Sequence, residues 1–167
     1  MTTFIPINTI RFIVLLLVQV IFFNNINFLG YINPYVYILF VAFYPVKSNR
    51  LLFMLTCFLL GLMVDMFLDT GGIHAAASVT VAYARPVILK FAFGVMYENQ
   101  KIKFSTLDIG SITVYIALLV LIHHFVLFYL EIFSISKILL VLKKTLFSGI
   151  FTIFLSVIFT VIFSRKK

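Results

Sequence analysis

The side chains with the greatest chemical reach in this sequence are few: Asp65, Asp69 and His74, Arg85 directly before Pro86, the pair His123-His124, Glu131, and the lone Cys57. Gly61, Asp65 and Asp69 recur at four-residue intervals and so share one face of a helix. A glycine on that face lets a neighbouring helix approach closely, which would bring a donor within reach of the Asp65 carboxylate. Asp69 carries the stripe into the turn Asp69-Thr70-Gly71-Gly72. The plainer reading is that both carboxylates are wetted groups at the membrane interface. His74 returns through this short hairpin toward them, so a carboxylate–imidazole hydrogen bond is expected, either stapling the hairpin or handling a proton. An aspartyl-protease pair is excluded, because two carboxylates sharing a proton must face each other, and these lie one turn apart on one helix.

His123 and His124 point about 100° apart on a helix and cannot grip one ion together. Glu131 shares the face of His124 but sits two turns away, so a polar contact between helices is expected instead. Cys57 lies inside an apolar run and reads as a small buried hydrophobe; as the single cysteine it forms no intrachain disulfide. Arg85 reads either as a cation snorkelling at a membrane boundary or as a docking element for a cytoplasmic partner or lipid headgroup. Phosphate-binding loops, nucleophile elbows and zinc-protease motifs are absent from the sequence. No catalytic residue, cofactor or metal is expected, and the chain does not read as an enzyme.

These residues must be positioned by elements suited to lipid. Of 167 residues, 63% are hydrophobic and only 11% charged, with a mean hydropathy of +1.20. A soluble domain carries about a quarter charged residues and could not hide so much Phe, Ile and Leu from water. The formal net charge of +8 does not indicate nucleic-acid binding, since the basic residues sit between apolar runs rather than along one solvated face. Arg11 before an apolar run resembles a signal peptide, but no small-x-small cleavage site follows, and the run reads as a retained first span.

A spanning helix needs roughly 17 to 25 mostly apolar residues. Spans are expected near 10–23, 28–44, 51–68, 73–89, 109–130 and 145–163, within a single all-α membrane domain covering 1–167. The second is shortened by Gly30 and Asn33-Pro34. The fourth should kink or end at Arg85-Pro86, because proline disfavours helical geometry in the residue before it. The stretch 86–94 is read as either continuing that span or lying along the interface, and 132–144 as a short interfacial helix. Asp108 and Ser105 are N-cap candidates for the fifth span. Six spans place both termini on one side, and Arg11, Lys47, Arg50, Lys101, Lys103 and Arg165-Lys166-Lys167 make that side cytoplasmic; Lys137, Lys143 and Lys144 fall on the other.

Gly61-Leu62-Met63-Val64-Asp65, then Asp69-Thr70-Gly71-Gly72-Ile73-His74-Ala75, then Ala82-Tyr83-Ala84-Arg85-Pro86 resemble the bacterial rod shape-determining MreD family. The opening Arg11-Phe12 with its apolar run to Asn24, and the Arg-Pro pair, look like its Bacteroidetes-type members. The resemblance implies a non-enzymatic scaffold of the cell-elongation machinery in the bacterial inner membrane. It implies MreC as a partner, and through it MreB, RodA and a penicillin-binding transpeptidase, with a fold similar to the six-helix substrate-binding subunits of energy-coupling vitamin transporters. The family motif maps onto Gly61, Asp65, Gly72 and His74; Asp69 and Arg85 are added as structural or partner-interaction candidates. A competing expectation is a small-molecule-binding subunit of a transporter, which would need a polar-lined cavity.

Overall fold

The computed structural model describes residues 4–26, 32–98, 102, 104 and 107–164. Its helices are α1 (Phe4–Ile21), α2 (Ile38–Phe43), α3 (Arg50–Leu68), α4 (Ile73–Phe93), α5 (Val95–Glu98), α6 (Ile109–Ile132) and α7 (Ile138–Ser164), with short 3-10 turns at Phe23–Asn25 and Ile135–Lys137. The chain is all-helical across these residues. Five helical segments are long and apolar enough to cross a membrane: Ile7–Asn25, Arg50–Leu68, Ile73–Phe93, Ile109–Ile132 and Ile135–Ile162. At about 1.5 Å per residue, each covers or nearly covers a hydrocarbon core about 30 Å thick.

The long helices pack in sequence, α3 on α4, α4 on α6 and α6 on α7, while α1 lies against α3 and α2. Their outer faces are Leu, Ile and Phe: Leu51, Val87, Phe91, Leu139 and Ile162 are each more than 60% exposed. That surface is stable against acyl chains and costly against water.

Three expectations are corrected. The second span near 28–44 is not a spanning helix. Its helical part, α2, has six residues, about 9 Å of rise; Gly30 lies outside the described residues. The chain instead returns alongside α1, since Gln19 bonds Pro34 and Val36, the Phe12 and Phe40 rings meet and Arg11 bonds the Phe43 carbonyl. Pro86 neither ends nor interrupts the fourth span: α4 runs through it to Phe93 and absorbs the stretch 86–93. Proline removes one backbone donor there, a loss that neighbouring helices make tolerable in a membrane. Finally, the residues around 138–144 are not a separate interfacial helix. After a single 3-10 turn, α7 runs unbroken for 27 residues. Lys144 is held on this helix by Glu131, 2.7 Å away, and by the Phe128 ring.

Asp108 caps α6 as expected, its carboxylate accepting from the Ser111 amide at 2.7 Å. Ser105, Lys101, Lys103 and Arg165-Lys166-Lys167 lie outside the described residues.

Candidate functional site

The polar residues converge on three connected places: the α3–α4 joint, a hydroxyl hub at Tyr37, and the two ends of α2.

At the joint, Gly61 is where the helices touch. A Cβ there would stand 2.5 Å from the His74 carbonyl oxygen and 2.6 Å from Ala75 Cα, distances no backbone tolerates, so only glycine permits this approach. One turn on, Asp65 is buried and accepts from the Thr70 hydroxyl at 2.5 Å, the His74 amide at 2.9 Å and the Ala75 amide at 2.8 Å. The first turn of a helix has amides with no partner of its own, and the α4 N-cap residue is Gly72, which has no side chain to supply one. Asp65 is therefore the cap of α4, delivered from the adjacent helix, with its negative charge at the positive end of the helix dipole. Gly72, at φ 97°, and Gly71, at φ 66°, turn the hairpin in left-handed backbone that favours glycine. Asp69 takes the same region as the C-cap of α3 and is exposed; it does not join the Asp65 cluster.

The expected bond between the His74 imidazole and a carboxylate is not made. Only the backbone of His74 meets Asp65. Its ring turns inward, where Nδ1 lies 3.0 Å from the Tyr37 hydroxyl, and His123 Nε2 approaches the same hydroxyl at 2.7 Å. Tyr37, His74 and His123 are all buried, and Tyr35 packs its ring beside both histidines. A phenol has one hydrogen to give and also accepts, so at least one imidazole must donate. If Tyr37 donates to His74 Nδ1, His123 donates from Nε2–H and its unpartnered, buried Nδ1 is a bare acceptor. The reverse setting would strand an N–H instead, the rarer and costlier orphan. The first setting is favoured.

His124 points elsewhere, as the helical spacing requires. Its Nε2 is 3.0 Å from Thr152 Oγ1 on α7, and its Nδ1 is 3.0 Å from the Val120 carbonyl. Among the described residues no three His, Cys, Asp or Glu side chains converge to hold a metal ion.

The third place corrects the reading of Arg85. It neither snorkels nor faces a cytoplasmic partner; it is buried. Its Nη2 donates to the Ala42 and Tyr44 carbonyls at 3.1 and 2.5 Å, and its Nε to the Tyr115 hydroxyl at 2.9 Å. Tyr115 in turn donates to the Ala42 carbonyl at 2.9 Å, and the guanidinium lies over the Phe53 ring. These carbonyls end α2, where the helix dipole is negative. At the other end, Gln19 accepts from the Val36 amide at 2.9 Å and donates to the Pro34 carbonyl at 3.1 Å, while Thr152 accepts from the Tyr35 amide at 3.1 Å. A helix this short leaves most of its backbone groups unpaired, which lipid forbids unless protein supplies partners.

Gln19, Tyr37, Tyr115 and Thr152 were not singled out from the sequence. Gln19 alone carried a signal, as an amide in an otherwise apolar span. No family model, curated protein or solved structure matches the chain.

Proposed function

We propose that this chain is a non-enzymatic scaffold of the bacterial rod-shape machinery, a multi-pass protein of the inner membrane related to MreD. What supports the reading is the α3–α4 joint. Gly61, Asp65, Gly72 and His74, which carry the resemblance, meet there in a single construction whose polar groups hold helices together. Asp65 is fully engaged by backbone amides and a hydroxyl, so it is not poised to act on a substrate. A protein with so little mass outside its spans influences neighbours by presenting rigid helix surfaces. MreC is the partner implied, and through it MreB, RodA and a penicillin-binding transpeptidase. Both termini would then be cytoplasmic and the helix arrangement similar to that of energy-coupling vitamin-binding subunits.

Capture from native membranes with partner identification by mass spectrometry tests this. An MreC-type protein should co-purify, and Asp65→Ala should reduce both its recovery and rod shape. A variant with normal shape and normal capture would count against the reading.

One observation favours the second reading, a small-molecule-binding transporter subunit. A broken helix whose neighbourhood includes two histidines and two tyrosines is the kind of place where membrane proteins hold polar ligands. A native small molecule retained through purification, and lost in Tyr37→Phe, would favour it.

A further inference from the structure

The Asp65 joint, the Tyr37 hub and the Arg85 clamp are turned inward. The exposed cations are different. At the end of the molecule where α3 begins, Lys47 and Arg50 are exposed, three residues apart around the turn that Asn49 closes by capping the Leu51 and Leu52 amides. The Arg50 guanidinium lies over the ring of Tyr83 on α4, 4.9 Å from its centroid. Stacking fixes the cation against α4. Tyr83, Val87 and Lys90 follow at helical spacing on one outer face of α4, and all three are exposed. Val87 on α4 and Leu51 on α3 flank the stacked pair with apolar surface, 73% and 78% exposed. Positive charge thus stands beside exposed apolar surface of α3 and α4. One ion pair, Lys144 with Glu131, lies at the opposite end.

We propose that Lys47, Arg50 and Tyr83 form a binding site for one anionic phospholipid, its phosphate on the two exposed cations and an acyl chain along the α3–α4 surface. Charge complementarity selects the headgroup, and the exposed apolar surface of α3 and α4 selects an amphiphile over a soluble anion. Arginine's planar fork matches a phosphate oxygen pair, and tyrosine belongs at the headgroup level, where its ring is apolar and its hydroxyl wet. The site is independent of the proposed partnership with MreC.

The test is native mass spectrometry of the full chain released from nanodiscs of equal phosphatidylglycerol and phosphatidylcholine. Wild type should retain one phosphatidylglycerol in preference to phosphatidylcholine. Since a basic residue near an anionic surface is worth about 1 kcal/mol, Lys47→Gln and Arg50→Gln should each lower that preference about fivefold. Tyr83→Leu, which keeps every charge, should lower it about threefold by unfixing Arg50. Lys143→Gln at the opposite end should change nothing. All these side chains are exposed, so each variant should elute as wild type does. The proposal is overturned if the two lipids are retained equally, if the Lys47→Gln, Arg50→Gln double variant keeps the wild-type preference, or if Lys143→Gln weakens it as much.

Discussion

Asp65 has two oxygens and serves three donors, two of them amides that α4 cannot satisfy itself. Asp65→Ala leaves those amides buried and unpaired, and the expected loss is about 2–3 kcal/mol. Asp65→Asn keeps one accepting oxygen and should fall between Ala and wild type; thermal unfolding in detergent gives the order, and Asn below Ala would contradict capping. Gly61→Ala acts through space alone. Its methyl would meet the His74 carbonyl and the Ala75 backbone, so α3 and α4 must part, at about 1–3 kcal/mol with weakened Asp65 bonds besides. Here the sequence was informative, because a four-residue spacing is a local property of one helix and needs no knowledge of the fold. The imidazole of His74 was not legible in the same way. Its partner Tyr37 lies 37 positions earlier, and a carboxylate nine positions away looked the nearer choice. The hub makes its own prediction: nitrogen chemical shifts should place the proton of neutral His123 on Nε2, and a Nδ1–H tautomer would reverse the assignment of donors around Tyr37.

The element that most resists sequence reading is α2. Residues 35–42 expose at most 6% of any side chain, an apolar run like those of the spans, and hydropathy alone does not separate a buried half-helix from a crossing one. What separates them is where the backbone bonds go, and these end on Gln19, Thr152, Arg85 and Tyr115, from four other segments. Gln19→Leu should therefore unfasten one end of α2 from a distance. Three buried backbone groups, the Pro34 carbonyl and the Val36 and Tyr37 amides, lose their partner, which costs about 2–4 kcal/mol, and amide exchange should accelerate at Val36 and Tyr37 ahead of α6. Uniform acceleration would mean that α2 is not a separately fastened unit. Pro86 misled for a related reason: its local preference against helix is real, but packing on both sides of α4 outweighs it. The start of α6 offers a pH test. Hydrogen bonds from the Ser111 backbone, then its side chain, hold the Asp108 carboxyl below its ordinary range. A depressed folded value means the cap is fully present above the unfolded carboxylate pKa and is lost as pH falls through the folded one. The protection of the Ser111 amide, measured against its intrinsic exchange rate at each pH, should fall on acidification in wild type and show no such dependence in Asp108→Asn.

At the scale of the whole molecule, composition made the medium legible and left the number of crossings ambiguous. Five helices can span, and five crossings alone would put the termini on opposite sides. The contacts of the intervening segment favour the proposed sixth passage. Gln19 meets Pro34 and Val36, then Phe12 meets Phe40, then Arg11 meets the Phe43 carbonyl, so the chain runs back along α1 toward the end where α1 began. Its finish is fixed independently by Arg85 and Tyr115, while Tyr37 is fixed by His74 and His123. His74 and Arg85 are eleven residues apart on α4, about 16 Å of rise. A stretch fastened at those two depths would travel about half the hydrocarbon core, and the basic turn at Lys47 and Arg50 would complete the passage, since exposed cations settle at headgroups rather than among acyl chains. On the proposed reading, six passes made by five long helices and one shorter segment would restore the even count. Arg11, Lys47 and Arg50 would then share one side, which the excess of basic residues would make cytoplasmic. Reporter fusions that are active only in the cytoplasm should be active at both termini, and a reporter inserted after Phe133, in the α6–α7 turn, should be silent. Activity at one terminus only would mean that the α2 segment dips into the bilayer and returns to the side it came from.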